Sequence, residues 1–558
     1  MNQRRKTCGM IMEVCEARRL LAFGGTIPAI FGGREIESIQ ETLSLRDGRT
    51  VVAGIYGAGA NFQAGQASPT VRGDTDAFVA LLDTNGRLRW VQTMGGVEKE
   101  ITTNDNRIDF AARPIRAGRV FQLGVSTRPD EAGENITGLA EGIDGTIYVA
   151  GIFRGKSTFG NRTLDASRTR AGDGEFYDSF VARFSTGGAY RSLRQIGGPF
   201  NDVVTSIKID SAGSVYLAGS FERNANFATT GSPSIKTPLG RADIFAVKYN
   251  ADVSSISWFA QMGGDAFKSE EIEQASDLAV DATGNVYLAG TFSTRADFDP
   301  GRGTFFLTAE ARKTGAFTAR LSPTGRLVWA KQQVGETFVG NSAITLGNDG
   351  SVYSVGYFED NAALDANQPT RLFRATPESR NSDAQETDLF ITKWSRNTGA
   401  TQWVKQIKGP LYELVGGAAF TSNNRLVIWG SAAGNIDFNP NAATRILRTP
   451  RGDFDDNNVG GRSFAYSGFV ATYRTDGSLD RARLINARGA DKDLFLDAGA
   501  LRADGRSFVF AGRFQGGISI ERVGSVGPAF TRDVPKNNYL DDGFVAILDE
   551  TLNLPVTT

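Results

Sequence analysis

Apolar runs bounded by tight turns recur seven times along the chain. In each repeat an acidic-plus-glycine turn leads into one apolar run. A second run, of the form Asp-x-Phe-x-Ala in several repeats, follows after a stretch of variable length. In the third repeat the two runs are Val215–Phe221 and Asp243–Tyr249. Short apolar runs between turns of this kind are typical of buried β-strands. The pattern therefore predicts an all-β protein.

Each repeat supplies four antiparallel strands, which we label A to D. In the third repeat Ser206–Ile209 is strand A, and Ser257–Gln261 is strand D. A glycine in strand B marks every repeat, at Gly54, Gly151, Gly219, Gly290, Gly356, Gly430 and Gly512. One such unit cannot bury both of its faces alone, so neighbouring units must stack. We predict a single seven-bladed β-propeller of four-stranded antiparallel blades, with strand A innermost.

The two ends of the chain are expected to share the last blade. One or two glycines end most D strands, and in three repeats the last of them lies 21 residues before the next strand-B glycine: Gly198 before Gly219, Gly335 before Gly356, and Gly409 before Gly430. Gly33 stands at the same distance before Gly54, whereas the chain after Phe544 is too short for a strand D of its own. We therefore predict that Thr26–Phe31 pairs with strand C around Phe544–Leu548 and closes the ring, which removes exposed sheet edges.

These registers divide the chain into two parts. Residues 1–23 are predicted to be a leader or export segment without regular structure, and residues 24–558 are predicted to form the propeller. The predicted blades are approximately 34–96, 97–198, 199–264, 265–336, 337–410, 411–489, and 490–558 together with 24–33.

Composition excludes several classes of chemistry. The chain has no histidine, and its only cysteines are Cys8 and Cys15, so catalysis based on imidazole or a thiol nucleophile is excluded. The net charge is −1, which does not favour a nucleic-acid partner. No apolar run is long enough for a membrane helix, so we predict no membrane span. We expect a monomer.

Two short motifs resemble known families. The segment from Glu13 to Ala22 resembles the planctomycete N-terminal motif written LEPxLL, with Cys15 where that motif has Leu. The stretch from Ala279 to Phe292 resembles the SBBP-type bacterial β-propeller repeat, and this resemblance extends over nearly all of residues 34–558. The first resemblance implies export to the exterior or to the cell surface. The second implies the fold, because the residues that carry it are structural.

Variation between repeats is predicted to fall on one face of the disc. The A–B and C–D turns are short and nearly constant, whereas the B–C connections vary widely. The one large insertion, roughly Val97 to Glu134, is a D–A connection and lies on the same face. We call this the long-loop face, and we expect it to carry any recognition site.

Recurring polar and aromatic residues are given structural roles. We interpret the aspartates two positions before the strand-C Phe (Asp76, Asp178, Asp243, Asp388 and Asp542) as turn-capping carboxylates, and likewise those of the A–B turns (Asp47, Asp144, Asp210, Asp281, Asp349 and Asp504). The strand-D tryptophans are interpreted as blade packing. Alternating carboxylates in Gly- and Asn-rich loops suit Ca²⁺, and the candidate ligands are Asp297, Asp299, Asp437, Asp453, Asp455 and Asp456.

The sequence leaves two functions open. The favoured one is a non-catalytic, secreted or cell-surface propeller that binds a protein or a glycan through its long-loop face. It has no cofactor other than the candidate Ca²⁺. The alternative is a carboxylate- or metal-dependent polysaccharide hydrolase or lyase, which would need acidic and basic residues from different blades to converge near the central channel. No individual catalytic residue is predicted.

Overall fold

We describe the protein from a computed structural model. The described residues are 29–31, 37–57, 60, 62, 71, 75–96, 134–166, 176–264, 273–309, 313–376, 387–409, 413–441, 445–450, 465–488, 493–515, 517–521, 528–533, 542–549 and 552.

The described chain is all-β and forms seven four-stranded antiparallel blades, which confirms the predicted fold class. Strands A to D of blades 1 to 3 are Glu37–Ser44, Thr50–Gly57, Thr75–Leu82 and Leu88–Gly96; Glu134–Glu141, Ile147–Arg154, Tyr177–Phe184 and Tyr190–Ile196; and Asp202–Ile209, Val215–Glu222, Ala242–Tyr249 and Ile256–Met262. Those of blades 4 and 5 are Gln274–Val280, Val286–Ser293, Thr314–Leu321 and Leu327–Gly335; and Val339–Leu346, Ser351–Glu359, Thr387–Ser395 and Thr401–Ile407. Those of blades 6 and 7 are Glu413–Phe420, Arg425–Ala432, Ser467–Arg474 and Leu479–Arg488; and Leu494–Leu501, Phe508–Phe514, Asp542–Leu548 and Ala29–Phe31.

The last blade is closed by the N-terminal strand, as predicted. Ala29–Phe31 pairs antiparallel with strand C of blade 7, and Ile30 lies opposite Phe544. Each strand A packs against strand A of the next blade, and blade 7 packs against blade 1. The seven A strands therefore form a closed ring around a central channel.

Every strand A contains a β-bulge opposite the glycine of strand B. In blade 3 the register shifts between Val204 and Ser206, and Val204 lies opposite Gly219. A Cβ atom on Gly219 would collide with the Val203 carbonyl oxygen of strand A. The marker glycine is thus required because two backbones approach closely there.

The core lies between blades rather than within them. One cluster joins Tyr216 and Ala246 of blade 3 to Leu288 and Phe317 of blade 4. The strand-D tryptophans add a hydrogen bond that recurs between blades. Each donates its indole N–H to a backbone carbonyl in the C–D turn of the next blade. The pairs are Trp90 with Thr186, Trp258 with Pro323, Trp329 with Arg396, and Trp403 with Thr475. Blade packing is therefore the role of these side chains.

The variable B–C connections contain short hairpins that pair with the preceding blade. The first strand of each hairpin continues the sheet beyond strand D of the previous blade, as Asp297 does opposite Gly263. The hairpins of blades 2 to 7 are Lys156–Phe159 with Arg162–Asp165, Ala225–Asn226 with Ile235–Lys236, Arg295–Asp297 with Phe306–Thr308, Asn361–Ala363 with Phe373–Arg374, Asn435–Asp437 with Ile446–Arg448, and Gly517–Glu521 with Pro528–Asp533. Part of the long-loop face is thus structural.

The strand-C aspartates have a different role from the turn capping that the sequence predicts. Asp243 accepts a hydrogen bond from the backbone N–H of Leu239 in the preceding loop. It is also fully buried and accepts a second hydrogen bond, at 2.7 Å, from the side-chain amide of Gln261. Its second oxygen faces Glu273, at the start of the next blade, across Gly263. Burial raises the pKa of Asp243 to about 6. These carboxyl groups therefore form joints between blades, and the turn-capping interpretation holds only for the A–B turn aspartates such as Asp210.

Candidate functional site

Two regions depart from the repeat, and the first is the central channel. The residue after each strand-A bulge occupies the same position on the ring in all seven blades. In chain order these residues are Glu41, Gly138, Ser206, Asp277, Ala343, Gly417 and Ala498. Two residues further along, towards the A–B turns, only blade 3 carries a charge, at Lys208. The charged residues of these two layers are thus Glu41, Lys208 and Asp277, from blades 1, 3 and 4.

Asp277 is held firmly in place. Its Oδ1 accepts hydrogen bonds from the Ser206 hydroxyl and the Leu278 N–H, each at 2.8 Å, and its Oδ2 accepts from the Ile344 N–H of blade 5 at 3.1 Å. The Lys208 Nζ lies 3.7 Å from Oδ1. The same ammonium donates to the Ser206 hydroxyl at 3.2 Å. Asp277 and Lys208 therefore compensate each other's charge, although the Lys208 side chain remains 46% exposed.

Glu41 is the third charged group of the channel. Burial raises its pKa to about 7, the positive charge of Lys208 lowers it, and the negative charge of Asp277 raises it further. No hydrogen bond from a described residue offsets this burial. Groups with such perturbed pKa values concentrate at functional sites.

The opposite wall of the channel is small and apolar. Blades 5, 6 and 7 present Ala343, Gly417 and Ala498 at the level of Glu41. The strand-A residues from Leu414 to Ala419 of blade 6 are all partly exposed, whereas most of strand A in blade 2 is buried. Strand A of blade 6 is therefore more exposed than strand A of blade 2.

Sequence reasoning missed this cluster, although a signal was available. Glu41 and Asp277 both lie 13 residues before the strand-B glycine of their blades, Gly54 and Gly290. The bulge that turns this position to the channel is not visible in the sequence, so the spacing alone does not bring the two carboxylates together.

The second region is the outer rim of the long-loop face. Equivalent positions of the B–C hairpins in blades 3 to 6 carry Ile235, Phe306, Leu372 and Ile446, which we call the hairpin arc. Ile235, Phe306 and Ile446 lie opposite the residue that bridges to the preceding blade, and the register places Leu372 in the same way. Their exposed fractions are 52%, 43%, 57% and 51%.

Basic side chains accompany the hairpin arc. Arg295 stacks on the Phe306 ring, with its guanidinium carbon 3.5 Å from the ring centroid. Lys236 follows Ile235 directly in the chain. The remaining flanking cations, all exposed, are Arg371, Arg374, Arg445 and Arg448. The rim therefore combines apolar and cationic groups.

The described calcium candidates serve the hairpins. Asp297 Oδ1 accepts the N–H groups of Asp299 and Phe305, and Asp437 Oδ1 accepts those of Asn439 and Arg445. In blade 3 the neutral Asn226 makes the same two bonds, to Ala228 and Ser234. Asp299 accepts the Gly301 N–H. Asp297 and Asp437 belong to different blades, and among the described residues no three metal-binding side chains lie together.

Several predicted features fall outside the described residues. They are Asp453, Asp455 and Asp456, the leader 1–23, and residues 97–133 of the large insertion. Within the described part of the chain, no helix has the length and apolar character needed to cross a membrane.

No protein-family model and no curated protein matches this chain. Solved structures do resemble it. A quinohemoprotein alcohol dehydrogenase from Comamonas testosteroni is 10% identical with a TM-score of 0.34, and the alignment covers 95% of this chain and 78% of that one. The calcium-binding protein regucalcin from Agrobacterium tumefaciens is 9% identical with a TM-score of 0.28, covering 76% and 91%. BamB from Moraxella catarrhalis is 12% identical with a TM-score of 0.21, covering 62% and 94%. Likeness at this level carries no argument about activity, so function must be argued from the residues.

Proposed function

We propose that this protein is a non-catalytic, exported or cell-surface binding scaffold that holds a partner protein on the rim of its long-loop face. The observation that carries the proposal is the hairpin arc. Four consecutive blades expose a large apolar side chain at the same structural position.

The exposure is concentrated rather than scattered. Of the eight large apolar side chains that stand out as exposed among the described residues, six lie in the B–C connections of blades 3 to 6. The other two are Ile143 and Val328, outside these connections. Burying one such side chain is worth roughly 1.5–3 kcal/mol, so an arc of this kind favours association.

The chemistry of the arc favours a protein over a glycan. Ile235, Leu372 and Ile446 are aliphatic, and a sugar chain offers few apolar groups that could bury them. The neighbouring cations add preference for an anionic surface on the partner.

A matched pair of variants tests the proposal. The arc variant combines Ile235→Ser, Phe306→Ser, Leu372→Ser and Ile446→Ser. The control combines Ile143→Ser and Val328→Ser, which removes exposed apolar groups elsewhere. Cross-linking and affinity capture should recover the same partner with the wild type and the control but not with the arc variant. Equal recovery by all three would show that the arc does not bind it.

One observation favours the alternative, a carboxylate-dependent polysaccharide hydrolase or lyase. Glu41, Lys208 and Asp277 bring acidic and basic groups of three blades to the channel, which is the convergence that such an enzyme requires. Turnover of a polysaccharide by the wild type, lost in Glu41→Gln and Asp277→Asn, would replace the scaffold proposal.

A further inference from the structure

We infer that the central channel is a separate ligand site, which binds a primary alkylammonium group with Glu41 as its counter-charge. This inference concerns the channel and does not depend on the hairpin arc.

The charge balance of the cluster points to a cation. Lys208 and Asp277 neutralise each other at 3.7 Å, and Asp277 is further satisfied by Ser206 and two backbone N–H groups. With Glu41 ionised, Glu41, Asp277 and Lys208 together therefore carry a net charge of −1. An anionic ligand would be repelled by both carboxylates, whereas a cation would supply the missing partner.

The groups facing Glu41 from neighbouring elements do not supply that partner. Strand A of blade 2 offers Gly138 and Ala140 at the two channel layers. On the blade 7 side, Asp497 lies 3.6 Å from Arg513, so the positive charge of Arg513 is already engaged. Within the described part of the chain, Lys208 and Asp277 are the charged groups whose electrostatic effect on Glu41 is resolved.

The walls of the channel favour an aliphatic amine over a metal ion. Ala343, Gly417 and Ala498 face the cluster at the level of Glu41 and provide apolar surface without oxygen ligands from their side chains. A hard metal ion such as Ca²⁺ requires about six to eight oxygen ligands, whereas an ammonium group on a short alkyl chain needs one counter-charge and apolar surface for its chain.

The ammonium could be a free amine or a lysine side chain of a peptide. Both sources present the same chemistry to Glu41, and they differ in whether a peptide backbone must fit the channel. n-Butylammonium and a blocked tripeptide with a central lysine are the two probes that distinguish them.

Binding should be coupled to the ionisation of Glu41. With a pKa of about 7, Glu41 is mostly protonated at pH 6 and mostly ionised at pH 8. Affinity for n-butylammonium should therefore be about tenfold weaker at pH 6 than at pH 8. n-Butanol, which has the same chain without the charge, should not compete.

Calorimetric titration of the full chain tests the inference. Glu41→Gln should weaken binding at pH 8 by about tenfold or more and abolish the pH dependence. Lys208→Gln should instead strengthen binding at a pH where Glu41 is fully ionised, because it removes a like charge. Glu141→Gln is the control, since that carboxylate is held by Arg46 outside the two channel layers. The thermal transition of each variant reports whether the ring remains folded.

The possible results are distinct. Binding of both probes with this pH profile supports an amine site open to peptides, and binding of n-butylammonium alone supports a free-amine site. No saturable binding by either probe, equal binding of n-butanol, or unchanged binding by a folded Glu41→Gln variant would overturn the inference.

Discussion

Two joints between neighbouring blades solve the same packing problem in different ways. Between blades 3 and 4, Asp243 and Glu273 face each other across Gly263. Between blades 4 and 5, the equivalent positions are Gly315 and Val339. The Phe292 ring occupies the space beside Gly315 where a side chain would otherwise extend. Both joints are buried, so a carboxyl pair is not needed to close the ring.

The two acids of a joint are either both present or both absent. Asp388 and Glu413 repeat the pair between blades 5 and 6, and the pKa of Glu413 is raised by burial and then by the charge of Asp388. Where strand C loses its aspartate, the next strand A also loses its acid. The two cases are Gly315 with Val339 and Ser467 with Leu494. A strand-C aspartate thus occurs only where the next blade begins with an acid at the position that faces it.

Placing a single acid in the apolar joint should have the largest effect. Val339 is fully buried, so Val339→Glu would introduce a carboxyl group with no acid partner. We expect a loss of about 3 kcal/mol in the free energy of unfolding at pH 7. Denaturant titration measures it.

Val339→Thr is the matched control, because it adds a polar group of similar size without a charge. Val339→Thr should lose much less free energy of unfolding than Val339→Glu. Equal losses for the two variants would mean that polarity alone, rather than the isolated carboxyl group, is excluded from this joint.

Neutralising one acid of a pair should increase, rather than decrease, the free energy of unfolding at high pH. A raised pKa means that the protonated form stabilises the fold, and this stability is lost as the pH rises through about 6. The shift of Asp243 from 3.8 corresponds to roughly 3 kcal/mol. Asp243→Asn imitates the protonated acid, so it should be more stable than the wild type at pH 8 and nearly equal at pH 4.

Asp47→Asn is the control, because the pKa of Asp47 is shifted in the opposite direction. The side-chain hydrogen bond from Arg49 lowers the pKa of Asp47, so its ionised form is the stabilising one. Denaturant titrations at several pH values should give a flatter profile for Asp243→Asn and no gain at pH 8 for Asp47→Asn. A parallel profile for Asp243→Asn and the wild type would contradict the raised pKa of Asp243.

The smallest effect is expected at a carboxylate that a neutral amide already replaces elsewhere. Asp297→Asn should change the free energy of unfolding by no more than about 0.5 kcal/mol, because Asn226 makes the same two backbone contacts in blade 3. Thermal unfolding with and without Ca²⁺ measures this. A Ca²⁺-dependent gain in the wild type that Asp297→Asn abolishes would instead support a calcium site there.

The ring and its closure could be predicted because they depend on spacing. The strand-B glycines and the register of Gly33 relative to Gly54 are properties of a single chain, read in order. Pairing of Ala29–Phe31 with strand C of blade 7 followed from that register.

The joints and the channel could not be predicted in the same way, because they depend on contacts between blades. Asp243 was assigned to a turn since its partner Glu273 lies in the next repeat. Lys208 and Asp277 meet only because the bulges turn two A strands towards one channel. The hairpin arc was also missed, because the pairing of B–C segments with the preceding blade is not visible in their variable sequences.

The hairpins give the ring a mechanical direction. In each of blades 1 to 6, the end of strand D or the residue directly after it pairs with a hairpin from the following blade. Under a pulling force, that end of the strand can separate only after the next blade releases its hairpin. Load applied to one blade is therefore carried partly by the following one, and resistance to tearing is a property of neighbours in series rather than of any single sheet.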